Sequence, residues 1–113
     1  MDISLVLDCN DPDRLAEFWC AALDYKNAGW VGQYVALVAD DKPIILLQKV
    51  DEPKVGKNRM HLDMHPEAVE PEVERLLELG ATKVSDGALS AHGHSWMVMA
   101  DPEGNEFCVC ASC

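Results

Sequence analysis

Ser4-Leu5-Val6-Leu7-Asp8 and His61-Leu62-Asp63-Met64-His65 are the two stretches on which the fold turns. Each alternates apolar and polar residues at the period of a strand. Each is followed by an amphipathic helix. In the first, Asp11 is a good N-cap and Pro12 suits the first helical position. Leu15, Phe18, Trp19 and Ala22 then recur at i, i+3, i+4 and i+7, and the helix ends near Leu23. In the second, Val69, Val73, Leu76 and Leu77 mark the apolar face, with Pro71 in the first turn and Gly80 as the C-terminal glycine. Superposing the two stretches brings both helices and both final hairpins nearly into register, an internal repeat of about 55 residues.

Working outward, three strands are expected after the first helix: Lys26 to Trp30, Tyr34 to Ala39 and Ile44 to Val50. Asp40-Asp41-Lys42-Pro43 is a turn cluster. The segment 51–58, with Pro53, Gly56 and several charges, reads as a linker between module one (1–50) and module two (59–113). After the second helix the expected elements are strands at Thr82 to Ser85, Ser95 to Ala100 and Glu106 to Cys110, with a loop from Gly87 to Gly93. Asp101-Pro102-Glu103-Gly104 has the form of a type I turn. The order strand, helix, three strands is thus written twice. This predicts one α+β domain of two pseudo-symmetric βαβββ modules, forming a curved mixed sheet around a cleft.

Composition excludes several classes of function. The 113 residues suit one domain. With 20 acidic against 9 basic residues and a formal charge of −11, the chain lacks the cationic surface that nucleic acids or anionic membranes require. No apolar run approaches the roughly 20 residues of a membrane span. Met1-Asp2-Ile3-Ser4-Leu5 has neither a basic region nor a signal-peptide core, so a cytoplasmic protein is expected. The cysteines (Cys9, Cys20, Cys108, Cys110 and Cys113) are odd in number and suggest no disulfide framework. Cys108-x-Cys110-x-x-Cys113 lacks the second pair of a zinc signature.

Four segments resemble the vicinal-oxygen-chelate superfamily, which includes glyoxalase I, bleomycin-resistance proteins and extradiol dioxygenases. They are Leu7-Asp8-Cys9 through Asp11-Pro12-Asp13-Arg14-Leu15-Ala16-Glu17-Phe18-Trp19; Gly56 through Asp63; Glu74-Arg75-Leu76 through Leu79-Gly80-Ala81; and Asp101-Pro102-Glu103-Gly104-Asn105-Glu106-Phe107-Cys108. The nearest look is to the small glyoxalase-like domains. The resemblance implies paired βαβββ modules around a cleft, homodimerisation, and, in metal-dependent members, a divalent ion held by first and last strands of each module. Carried over one position at a time, the implied ligand sites fall on Ser4, on Leu47 or Gln48, on His61 and on Cys108. His61 alone is a strong ligand among them, and a catalytic metal needs about three. The expectation is therefore a protein without a cofactor, its metal set incomplete at His61.

Strand alternation places Ser4, Val6 and Asp8, then Arg59, His61, Asp63 and His65, and finally Glu106, Cys108 and Cys110 on the faces away from the helices. His61 is the leading candidate, a general base or ligand partner oriented by Asp63. Asp8 with Asp63 offers a pair of carboxylates. Cys108 is a nucleophile if His61 favours its thiolate. Trp30 and Trp96 are candidate walls of a pocket and Trp19 is core. Ser4, Asp8, Gln48 and Cys108 complete the ligand-binding set with His61, Trp30 and Trp96, and His61, Asp63 and Cys108 form the catalytic set. His92 and His94 offer an H-x-H pair on a glycine loop that would cap the pocket. Three readings stay open: a small-molecule binding protein of the glyoxalase/bleomycin-resistance type; a lyase, isomerase or dioxygenase-like enzyme acting on a small oxygenated metabolite using His61 with or without a divalent metal; and a redox or metal-responsive protein using Cys108, Cys110 and Cys113.

Overall fold

The computed structural model describes residues 2–58, 60–87, 89–91 and 94–111, the side chains of Ala91 and His94 excepted. The chain divides into two compact units, Met1–Lys54 and Val55–Cys113. The first contains β1 (Ser4–Cys9), α1 (Pro12–Leu23), β2 (Lys26–Val31), β3 (Tyr34–Val38) and β4 (Ile44–Lys49). Its sheet runs β1-β4-β3-β2, with β1 parallel to β4 and the other pairs antiparallel. Asp11 caps α1 by accepting the backbone N–H of Arg14 at 3.2 Å. The left-handed Asp24 (φ 58°) ends it.

Cross-strand partners share a face, so the register sorts the side chains. Leu7, Leu47, Val35 and Trp30 lie in one row, and Leu5, Ile45 and Leu37 in the next. Against this face α1 packs Leu15, Ala16, Phe18, Trp19 and Ala22, all buried. Phe18 and Trp19 meet edge to face, centroids 5.0 Å apart. Each large apolar side chain so buried contributes about 1.5–3 kcal/mol. The opposite face carries Ser4, Val6, Asp8, Ile44, Leu46 and Gln48.

The second unit contains β5 (Asp63–Met64), α2 (Val69–Leu79), β6 (Thr82–Lys83), β7 (Leu89–Ala91), β8 (His94–Ala100) and β9 (Glu106–Ala111). Its sheet runs β5-β9-β8-β6, and β7 pairs with β8. Again the first strand is parallel to the last. Met64, Val109, Met97, Phe107 and Met99 share a buried face, on which α2 sets Val73 and Leu76. Gly80 ends α2 in the left-handed region (φ 114°).

The Asp101–Asn105 turn fixes the β8–β9 register. Gly104 N–H donates to the Asp101 carbonyl, and Asp101 N–H to the Asn105 carbonyl, both at 2.9 Å. The Asp101 carboxylate accepts from the backbone N–H groups of Glu103 and Asn105, also at 2.9 Å, and from the Asn105 amide. A buried carboxylate is costly unless saturated in this way.

The α+β class and the two βαβββ modules are as the sequence led one to expect, each module carrying its own mixed sheet. Three segments differ by more than one residue. The strand expected from Arg59 to His65 narrows to Asp63–Met64; Arg59 lies outside the described residues. The strand expected at 82–85 ends at Lys83, because Val84 and Ser85 both turn their N–H groups to the Val98 carbonyl. Within the expected 87–93 loop, Leu89–Ala91 pairs with β8 as a short edge strand. Among the described residues no helix is long and apolar enough to cross a membrane.

Candidate functional site

The open face of the second unit is built by register. Asp63 stands beside Cys108, and Cys108 beside Val98; Cys110 stands beside Trp96, and Trp96 beside Leu89. These residues share the face away from α2. β5 is short, yet it is pinned: the Cys108 N–H donates to the Leu62 carbonyl at 2.9 Å. That bond carries the parallel pairing back towards His61.

The face holds a recess of about 480 Å³, formed wholly within this unit. Trp96, Leu89 and Val98 supply apolar wall, and His61, Asp63 and Cys108 the polar group. Lys57, Asn58 and Glu106 also line it. Lys57 Nζ lies 3.6 Å from Glu106 Oε1, and Asn58 Oδ1 accepts the Glu106 N–H at 3.5 Å.

His61 Nε2 is 3.2 Å from Asp63 Oδ1, with both side chains nearly half exposed. One donor atom from each of His61, Asp63 and Cys108 lies within 4.8 Å of the other two. Cys108 is buried, at 9% exposure. Burial pushes its thiol up from the usual cysteine range. The Asp63 charge and hydrogen bond push the same way and Glu106 adds to them, while Lys57 opposes. These surroundings disfavour the thiolate on which the nucleophile reading of Cys108 depends. Asp63 is the shared neighbour of imidazole and thiol.

Of the residues expected in a binding site, the second unit brings together His61, Asp63, Trp96 and Cys108. The first unit carries Ser4, Asp8 and Gln48 on its own open face, where Asp8 pairs in register with Gln48, and Gln48 with Tyr34. Leu47 is fully buried on the α1 face, so of the alternatives Leu47 and Gln48 only Gln48 shares a face with Asp8. Trp30 does not share that face. It lies in the row of Val35 and Leu47, and its indole N–H donates to Asp13 Oδ1 at 2.9 Å. Tryptophan here braces the start of α1.

His92, Gly93 and Cys113, and the side chain of His94, lie outside the described residues. Cys9, Cys20, Cys108 and Cys110 are free thiols. Sequence reading did not find Lys57, Asn58 or Leu89. The first two come from a segment with no periodicity, and Leu89 from an edge strand only three residues long. The spacing His61-x-Asp63 was the available signal, since i and i+2 on a strand point the same way.

The family model for the Glyoxalase-like domain matches residues 4–110. No curated protein matches the chain. Among solved structures, a glyoxalase/bleomycin resistance protein/dioxygenase family enzyme from Burkholderia phytofirmans PsJN superposes with a TM-score of 0.83 at 16% identity, covering 100% of both chains. A glyoxalase-related enzyme from Fulvimarina pelagi gives 0.75 at 17% identity over 99% of this chain and 88% of that one. The genomically encoded fosfomycin resistance protein from Listeria monocytogenes gives 0.77 at 12% identity over 97% and 91%. At these identities the likeness is one of fold.

Proposed function

Since this chain belongs to the Glyoxalase-like domain family, we propose that it binds a small organic molecule in the recess of the second unit, against His61, Asp63 and Cys108. The observation that carries this reading is one polar group set in an otherwise largely apolar recess. A volume of about 480 Å³ falls in the range of small-molecule sites, which are mostly apolar with a few placed polar groups. The chemistry favours a ligand with an apolar, flat body for Trp96, Leu89 and Val98, and an oxygen-bearing head for His61 and the Cys108 thiol. Free cysteines suit the reducing cytoplasm as its place of action. We also expect a homodimer. On the first unit's open face Val6 and Val31 are more than half exposed, apolar surface of the kind that marks association. Sedimentation of the purified protein as a monomer would remove that part.

A thermal-shift screen of oxygenated metabolites and antibiotics tests the binding reading. A ligand at a hundred times its Kd stabilises the folded state by about 2.7 kcal/mol. His61→Ala should cancel the shift without unfolding the protein. A hit whose shift is untouched by both His61→Ala and Trp96→Ala would contradict the site.

A second reading is enzymatic, as a lyase or isomerase, and one distance favours it. Asp63 at 3.2 Å from Nε2 can orient His61, as a general base requires. Turnover of a bound metabolite that Asp63→Asn slows while leaving its affinity unchanged would support this reading; binding with no turnover would end it.

A further inference from the structure

We infer that Cys108 and Cys110 form a two-thiol site for trivalent arsenic bearing hydroxyl groups, with or without one flat aryl group. The site shares the recess with the organic-ligand reading but does not rest on it. Its bonds are to sulfur, and His61 has no part in them.

The strand brings the thiols together. Cys108 and Cys110 are two apart on β9, so both side chains leave the same face of the sheet. Both line the recess, and neither is in a disulfide. At the rise of a strand their Cβ atoms stand about 6.8 Å apart. With χ1 about 180° at Cys108 and about −60° at Cys110, the sulfurs lean towards each other, and both rotamers are common on strands. That brings the sulfurs to about half the Cβ spacing, a gap that one pyramidal arsenic atom bridges.

The chemistry is a condensation with no oxidation or reduction. Each arsenic–oxygen bond that breaks is replaced by an arsenic–sulfur bond. Each thiol proton leaves with the displaced hydroxide as water. Two thiols thus release two waters and hold arsenic in a neutral product. Thiols carry their protons at neutral pH, below the ordinary cysteine value of about 8.5, so the reactants are neutral too. Neutrality suits a recess that already holds Asp63 and Glu106, because burying a further charge costs far more than burying a neutral group. The third position on arsenic is also provided for. A retained hydroxyl can donate to Asp63, the register partner of Cys108. An aryl group can lie on Trp96, the register partner of Cys110, with Leu89 beside it.

The test uses the whole chain, reduced with a phosphine so that no competing dithiol is present. The probes are arsenite and phenylarsine oxide. Native mass spectrometry should show one arsenic per chain, and two thiols should disappear from a thiol count. A small dithiol should strip the arsenic, and a monothiol at the same concentration should not. Cys108→Ser and Cys110→Ser should each weaken binding about a hundredfold or more, because the second, intramolecular attachment is lost. Cys9→Ser, Cys20→Ser and Cys113→Ser should bind as wild type. Trp96→Ala should weaken phenylarsine oxide several-fold more than arsenite. Cys108→Ala and Cys110→Ala repeat the measurement, and unchanged far-ultraviolet circular dichroism shows that each variant is folded. No adduct on the wild type, wild-type affinity without Cys108 or without Cys110, or binding lost in Cys113→Ser overturns the pair. His61→Ala should bind both probes unchanged while cancelling organic-ligand binding, so the two proposals fail separately.

Discussion

The two units carry equivalent open faces, and these have diverged in opposite directions. Val6 pairs with Leu46 on the parallel strands of the first unit; Asp63 pairs with Cys108 at the same place in the second. Where the second unit has His61, Asp63 and Cys108, the first has Ser4, Val6 and Leu46. The other faces have hardly changed: Leu5 and Leu7 correspond to Leu62 and Met64, and both helices pack apolar residues on their sheets. A face packed against a helix is held apolar by the cost of burying anything else. An open face carries no such constraint, so chemistry can be kept on one copy and lost from the other.

The largest expected effect tests what the two units share. Leu15 and Leu76 are the fully buried anchors of α1 and α2. Leu15→Ala and Leu76→Ala should each cost about 2–5 kcal/mol in chemical denaturation. If one of them costs less than about 1 kcal/mol, its helix is not held by the packing described.

The next effect tests the face that differs. Trp96→Ala removes the broadest apolar wall of the recess and should weaken a screened ligand on the order of tenfold, a loss of about 1.4 kcal/mol in calorimetric titration. A smaller effect concerns the thiol. With its pKa raised, Cys108 should react slowly with a thiol-labelling reagent through neutral pH and speed up only as pH rises past the usual cysteine range. The proton-bearing folded state loses its advantage over the unfolded chain in that same alkaline window. Asp63→Asn removes a negative charge and an acceptor, so Cys108 should label several-fold faster. The gain is limited because burial, the larger cause, remains. An unchanged rate would show that Asp63 does not hold the thiol proton. The smallest effect belongs to Trp30→Phe, which removes the bond to Asp13: about 0.5–1.5 kcal/mol of stability, with no change in ligand affinity.

Much of the scaffold was legible because periodicity carried it. Asp11-Pro12 and Gly80 bounded the helices, and the alternation of Leu62 and Met64 placed His61 and Asp63 on one face. The strand at 59–65 was overextended because alternation persists beyond the residues that pair. The strand at 89–91 was missed because Gly87 and Gly93 bracket a segment too short to show a period. The facing of Trp30 was not legible, because it depends on an irregularity in β2, where the register shifts between Asn27 and Gly29. At the site, His61, Asp63 and Cys108 were each named and His61 was related to both others, but the pairing of Asp63 with Cys108 was not seen. That Cys108 answers to Asp63 follows from the β5–β9 register, and no count along the chain reveals it.

One experiment bears most directly on the claim that the second unit's open face carries the chemistry. The variant His61→Ser/Asp63→Val/Cys108→Leu converts that face to the side chains of the first unit. Calorimetry with a screened ligand should show affinity reduced on the order of a hundredfold, about 2.7 kcal/mol, in a protein whose thermal unfolding is little changed. Wild-type affinity in this folded variant would contradict the account.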